Sequence, residues 1–209
     1  MAVVTGIERA GFKGRMVRIS VDERLLCTIP ESDFQRFPLV LGEEIETGSY
    51  LDRVAAWQAG PAYEMALTML DYSDRTERQI LRGLMQKGIL EAAALAVVER
   101  LKESGLVDNE AYARRLVENQ KTGAVGRYAV RRKLMAKGIE EETAREALEI
   151  LDDAQQEGAC REAARKLARR YQKEEKGAAI RKLSQALIRR GFSWDIVSAI
   201  VEEIWGEEP

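Results

Sequence analysis

The stretch Leu134-Met135-Ala136-Lys137-Gly138-Ile139 decides the fold, because it occurs three times. It returns upstream as Leu84-Met85-Gln86-Lys87-Gly88-Ile89 and downstream as Leu187-Ile188-Arg189-Arg190-Gly191-Phe192. The glycines lie 50 and 53 residues apart, and the columns around them align. Ile80, Val130 or Leu183 stands eight residues before, and Leu84, Leu134 or Leu187 four before. Val98, Leu148 or Val201 follows at ten residues, and Leu101, Leu151 or Ile204 at thirteen. Agreement at so many columns marks an internal repeat of about fifty residues.

The glycine has a backbone reason. A helix that ends and turns at once needs a positive φ at its end, which glycine adopts without a Cβ clash, and a basic residue just before it faces the negative helix terminus. Lys87, Gly88, Lys137, Gly138, Arg190 and Gly191 therefore read as structural joints. The apolar residue after each glycine folds back onto the helix just left.

Outward from these joints, the chain reads as helix from Pro61 to its end, three helices to a repeat. The expected helices are 62–70, 76–87 and 91–104; then 108–120, 127–137 and 140–151; then 157–171, 178–190 and 193–205. Thr76 and Gln79 have the spacing of a capping box, and Asp108 and Ser193 are good N-caps. The predicted fold class is mainly α, with three tandem three-helix repeats over 61–107, 108–153 and 154–209. Stacked in a row, such units give an elongated, curved array.

Residues 1–60 read as a small β-containing N-terminal domain. Val3-Val4, Met16-Val17-Arg18-Ile19-Ser20-Val21 and Leu25-Leu26-Cys27-Thr28-Ile29 suggest three strands, with Asp22-Glu23 as a tight hairpin turn. Pro30 closes the sheet, a helix starts at Glu31, another spans about 49–57, and Gly60-Pro61 reads as the boundary.

Lys plus Arg number 33 and Asp plus Glu 35, so the near-neutral total conceals any local polarity. Residues 109–192 hold 20 basic and 13 acidic side chains, whereas the last 17 residues hold no basic and 5 acidic ones. That imbalance points the second and third repeats toward an anionic partner.

The chain has no histidine. This removes Ser-His and Cys-His catalysis, argues against a transition-metal site, and leaves an enzyme without a motif to stand on. No cofactor is expected. Glu140-Glu141-Glu142 occupies a first helical turn, where acids complement the helix dipole. Gly123 to Gly126, just before Arg127, could offer backbone N–H groups to a phosphate, but no Lys-Ser or Lys-Thr follows, and a plain connector is the simpler reading. Cys27 and Cys160 have no paired spacing and read as buried free thiols in a reducing compartment. With no signal segment and no membrane span, the expected location is the cytoplasm. Trp57, Trp194 and Trp205 read as packing residues.

The candidate contacts are basic. On the 157–171 helix the inner face is Cys160, Ala164, Leu167, Ala168 and Tyr171, while Arg161, Arg165 and Arg169 form an i, i+4, i+8 stripe extended by Lys166 and Arg170. Like charges at this spacing destabilise a helix by roughly 0.2–0.5 kcal/mol per pair, a cost that an anionic partner would repay. Arg127, Arg131, Arg132 and Lys133 add to the surface from the second repeat. The alternative is a solvated face neutralised by Glu157 and Glu162.

The arrangement resembles the RecX family of regulatory proteins. The resemblance rests on Tyr72-Ser73-Asp74-Arg75-Thr76-Glu77 before Leu84-x-x-Lys87-Gly88-Ile89, on Gly105-Leu106-Val107-Asp108-Asn109-Glu110-Ala111-Tyr112-Ala113, and on Leu134-x-x-Lys137-Gly138-Ile139. It covers about residues 62–205, and the first sixty residues look like the extra N-terminal segment of some members. Gly123-Ala124-Val125-Gly126 departs from it, since a Gly-Pro is expected near that helix start. The resemblance implies a protein that binds the RecA recombinase, chiefly its filament on single-stranded DNA, and modulates it, mostly by inhibiting filament growth, ATPase and strand exchange; a monomer is expected. It also implies that single- or double-stranded DNA is a further partner. The competing reading is a helical DNA-binding protein acting without the recombinase. Against it, the third helix of the central repeat carries five glutamates against Arg145 alone, and the last helix has no basic residue.

Overall fold

A computed structural model describes residues 1–120 and 123–206 of the chain. They form two compact units, Met1–Asp108 and Asn109–Pro209. The fold is mainly α: three three-helix repeats follow a small antiparallel sheet.

In the first unit, β1 (Ala2–Ala10), β2 (Met16–Val21) and β3 (Arg24–Pro30) are joined by a short 3-10 turn at Phe12–Gly14 and by a two-residue hairpin. A two-residue strand, β4 (Glu44–Ile45), pairs with Ala2 and Val3 and gives the order β3-β2-β1-β4. Alternate residues Val17, Ile19, Val21, Cys27 and Ile29 are buried, the period-two pattern of a sheet with one covered face. Asp22 and Glu23 have φ of 46° and 63°, the left-handed pair of a type I′ turn. Their backbone strain is offset by two cross-strand bonds: Val3 N–H donates to Asp22 Oδ1 at 3.0 Å and Glu23 N–H to Thr5 Oγ1 at 2.9 Å.

After α1 (Glu31–Arg36), α2 runs unbroken from Thr47 to Tyr72, through Gly60 and Pro61. The expected break at Gly60-Pro61 is therefore absent. Proline inside a helix costs about 3 kcal/mol. Here Tyr50, Val54, Gln58, Ala62 and Ala66 recur every four residues as one buried stripe. Its first half packs on Val4, Ile19 and Ile29 of the sheet, and its second half on Ile80, Leu84, Ala94 and Leu101 of α3 (Glu77–Gln86) and α4 (Glu91–Glu103). Burial on both sides outweighs the proline. Thr76 and Gln79 form the capping box at the start of α3.

The second unit holds α5 (Asn109–Gln120), α6 (Arg127–Lys137), α7 (Glu141–Leu148), α8 (Asp153–Tyr171), α9 (Lys176–Arg189) and α10 (Trp194–Gly206). One core gathers Val117, Val130, Leu134, Ile139 and Leu148; the other gathers Cys160, Leu167, Leu183, Leu187, Phe192 and Ile200. α8 begins four residues earlier than its apolar pattern suggests, because the Asp152 carboxylate accepts from Gln155 N–H at 2.6 Å.

Candidate partner-binding surface

The three joints share one backbone geometry. Gly88, Gly138 and Gly191 have φ of 84°, 88° and 87°. In each, the N–H of the next residue reaches back to the leucine four before the glycine: Ile89 to Leu84 at 3.2 Å, Ile139 to Leu134 at 3.1 Å, Phe192 to Leu187 at 3.4 Å. That is the Schellman ending of a helix.

The first and third joints also dock a neighbour. At Gly88, the buried Gln58 side chain donates from Nε2 to the Gly88 carbonyl at 3.0 Å and to Asp33 Oδ2 at 2.8 Å, and its Oε1 accepts from Leu90 N–H at 2.7 Å. At Gly191, the partner is the start of α6. Gly126 N–H donates to the Arg190 carbonyl at 2.9 Å and Tyr128 N–H to the Gly191 carbonyl at 3.0 Å. A Cβ on Gly126 would lie 2.2 Å from the Gly191 backbone, and one on Gly191 would lie 2.2 Å from Ala129 N. Arg127 N–H donates to Oε1 of the buried Gln156 at 2.7 Å. The three N–H groups that lead α6 are thus occupied by protein, and the phosphate alternative for Gly123 to Gly126 loses its donors. Lys121 and Thr122 of that loop lie outside the described residues. Arg127, at the helix start near which a Gly-Pro was expected, supplies the N–H that Gln156 takes.

The nine candidate cations separate by what they touch. The Arg127 guanidinium donates to the Leu151 carbonyl and to Asp153 at 3.2 Å, tying α6 to the start of α8. Arg131 pairs with Glu141 through Nε at 2.9 Å. Both line a cleft of about 580 Å³ with Arg145, Glu149 and Asp152, where each positive charge has a carboxylate nearby. Arg132 donates to the Arg189 carbonyl at 3.2 Å, and Lys133 to Gln120 Oε1 at 3.5 Å. On α8, Arg161 chelates Glu203 of α10 at 2.9–3.1 Å. That hydrogen-bonded guanidinium holds the Glu203 carboxyl below its ordinary range, with Arg165 adding a weaker pull. Lys166 pairs with Glu162 at 2.6 Å. Arg169 and Arg170 are exposed, and no hydrogen bond or ion pair joins them to a described residue. Arg165 is likewise exposed.

The stripe is therefore divided. Its Arg161 end serves the fold, while Arg165, Arg169 and Arg170 present charge outward. Sequence reasoning missed Arg189, exposed at the end of α9 beside Arg190 and next to the Arg132 guanidinium. Its signal was the Arg-Arg pair at the third joint, of which only Arg190 was read, as a joint residue. Trp205 packs on the core of the third repeat as expected, whereas the other two tryptophans differ from expectation. Trp194 is 63 % exposed, and Trp57 stacks under the Arg36 guanidinium, whose carbon lies 3.6 Å from the ring centroid. Cys27 and Cys160 are both buried free thiols, each pushed up to about 11 by that burial, so neither is a thiolate at neutral pH. Among the described residues no helix is long and apolar enough to cross a membrane.

The fold is that of a tandem three-helix-repeat protein. Models of the three-helix domains of RecX match in order: the first at residues 62–101, the second at 108–148 and the third at 155–201. "Regulatory protein RecX" of Levilactobacillus brevis is 31% identical over 202 residues, spanning 96% of this chain and 76% of that protein. The Limosilactobacillus reuteri protein of the same name is 29% identical over 205 residues, spanning 98% and 77%. A crystal structure of regulatory protein RecX superposes with a TM-score of 0.66 at 28% identity, covering 100% of both chains. RecX from Lactobacillus salivarius gives 0.65 at 29%, covering 71% of this chain and 97% of that one. The chain belongs to the RecX family of regulatory proteins.

Proposed function

We propose that the protein binds the RecA recombinase and its filament on single-stranded DNA, and inhibits filament growth, ATPase and strand exchange without being an enzyme itself. It acts as a monomer in the cytoplasm. The observation that carries this reading is membership of the RecX family over almost the whole chain, including relatives named as regulatory proteins.

The division of the basic surface supports an anionic partner and refines its footprint. Arg165, Arg169 and Arg170, with Arg132 and Arg189 across the same unit, are the groups proposed to meet acidic protein surface or phosphate. Arg127, Arg131 and Arg161 hold helices together, so their contribution is to keep that surface in place. The lone DNA-binding alternative remains disfavoured by its candidate recognition helices: α7 and α10 present Glu141, Glu142, Glu146, Asp195 and Glu202, which phosphates would repel.

The test is recombinase ATPase on single-stranded DNA, with and without the protein, across several salt concentrations. Inhibition that weakens with salt and with charge reversal at Arg165, Arg169 and Arg170 is expected. An ATPase unchanged at every stoichiometry sinks the reading; DNA binding with that unchanged ATPase transfers support to the lone binder.

A further inference from the structure

The cleft beside Arg127 has a floor whose hydrogen bonds are incomplete. Gln156, at 5 % exposure, is fixed there by Arg127 N–H, which donates to its Oε1 at 2.7 Å. That bond decides the orientation of the amide, since the opposite one would set N–H against N–H. Its Nε2 is left to the cleft, and no described residue accepts from it. A second donor stands unused in the same wall. The Arg127 guanidinium donates through one nitrogen to the Leu151 carbonyl and to Asp153, and its buried Nε–H finds no acceptor among the described residues. Buried polar groups are nearly always paired, so two open donors at one place mark a seat for acceptor oxygens.

The surrounding charges say what those oxygens belong to. Three guanidiniums and four carboxylates line the cleft, all within the second unit. Arg131 is matched by Glu141, Arg145 by Glu142 and Glu149, and Arg127 by Asp153. The carboxylate left over is Asp152: its Oδ1 accepts from Gln155 N–H at 2.6 Å, and no described residue donates to its Oδ2. A bare anion such as phosphate would enter a cleft that already has one acid in excess. A ligand that carries an ammonium beside its carboxylate would meet both needs. Asp152 and Gln156 stand at i and i+4 where α8 begins, a spacing that sets side chains about 5–6 Å apart, which fits an ammonium and a carboxylate borne on a single carbon. Beyond them the lining turns apolar, with Leu148, Ile196 and the half-exposed Tyr128 ring. The volume of about 580 Å³ is that of a small-molecule site.

We infer that this cleft binds a free α-amino acid with an apolar side chain. The carboxylate accepts from Gln156 Nε2 and, on a small rotation of the half-exposed guanidinium, from Arg127 Nε. Asp152 accepts from the ammonium, and the side chain lies on Leu148, Ile196 and Tyr128. Because α6, α7, α8 and α10 all contribute walls, an occupant bridges the second and third repeats. The site draws on cations that hold helices together and on none of those that point outward, so it stands or falls independently of the recombinase.

The experiment uses the full chain without recombinase, isotope-labelled on nitrogen for NMR. Titration with L-leucine or L-phenylalanine should shift the Gln156 side-chain amide pair, identified by its loss in Gln156→Glu, and calorimetry should give a saturable isotherm. Leucinamide, which lacks the carboxylate, and N-acetyl-L-leucine, which lacks the ammonium, are each expected to bind roughly ten-fold more weakly than leucine. Gln156→Glu keeps an oxygen for Arg127 N–H and removes the donor, so binding should vanish while the melting temperature holds. Asp152→Asn keeps the helix cap and removes the charge, so affinity should fall about ten-fold; it decides the matter should the first variant lose stability. No saturable shift up to the solubility of either amino acid overturns the inference. So do equal binding of leucinamide, unchanged affinity in either variant, or an amide pair shifted by inorganic phosphate and not by leucine.

Discussion

The first and third joints carry the same local motif and lock it in different ways. At Gly88 a side chain does the work: Gln58 reaches from α2 to hold the turn, while Met16 and Pro30 fill the space where a Cβ would sit. At Gly191 the lock is backbone against backbone, with Gly126 and Ala129 too close for any Cβ to enter. One repeat can thus evolve two kinds of contact from one helix ending: a flexible one, which side chains can readjust, and a rigid one, which they cannot.

Gly191→Ala should be the most damaging change, because the new methyl meets Ala129 N and the residue must also hold φ 87°. We expect a loss above about 4 kcal/mol in urea unfolding of the second unit, in the range reserved for overpacking and backbone strain. A loss under about 1 kcal/mol would show that α6 and α9 can separate freely. Next come the two buried glutamines. Gln58→Leu strands the Gly88 carbonyl and the Leu90 N–H and should cost about 2–4 kcal/mol; Gln156→Leu strands one N–H, that of Arg127, and should cost about 1–2 kcal/mol. Thermal melts of both variants that rank them in reverse would mean the side-chain lock is the weaker one.

Gly88→Ala should cost about 2 kcal/mol, less than its counterpart, since the Met16 methyl can move aside although Pro30 cannot. Combining it with Met16→Ala should recover part of the loss, whereas no single partner truncation should rescue Gly191→Ala. The smallest effect concerns pH. The Glu203 carboxyl is depressed on folding by Arg161, so the stability it adds is complete above the unfolded carboxylate pKa and disappears as pH falls through the lower folded value. Arg161→Gln should flatten that acid limb in melts taken across pH; an unchanged limb would mean the pair is screened to insignificance.

The repeats were legible because their signals are local and recurrent: an apolar stripe, a basic residue and a left-handed glycine. β4 was not, since two residues leave no periodicity. Nor was the continuity of α2, because a Gly-Pro pair reads locally as a stop and only the two cores on either side of it supply the opposing energy. The division of the basic stripe was hidden for a related reason. Arg161 and Arg165 are equivalent on a helical wheel, and Glu203, forty-two residues downstream, distinguishes them. Sequence spacing could identify cations but could not say which were already engaged.

The uninterrupted α2 also bears on how the first unit comes apart. Its 26 residues span about 39 Å, and the same hydrogen-bonded rod contributes one wall to each of two hydrophobic cores. Sheet and first repeat therefore have no independent melting units at this junction, and amides from Tyr50 to Ala66 should exchange with solvent only when both cores open together. A truncation beginning at Ala62 would preserve every residue matched to the first RecX domain and still leave that domain with half of its longest helix missing.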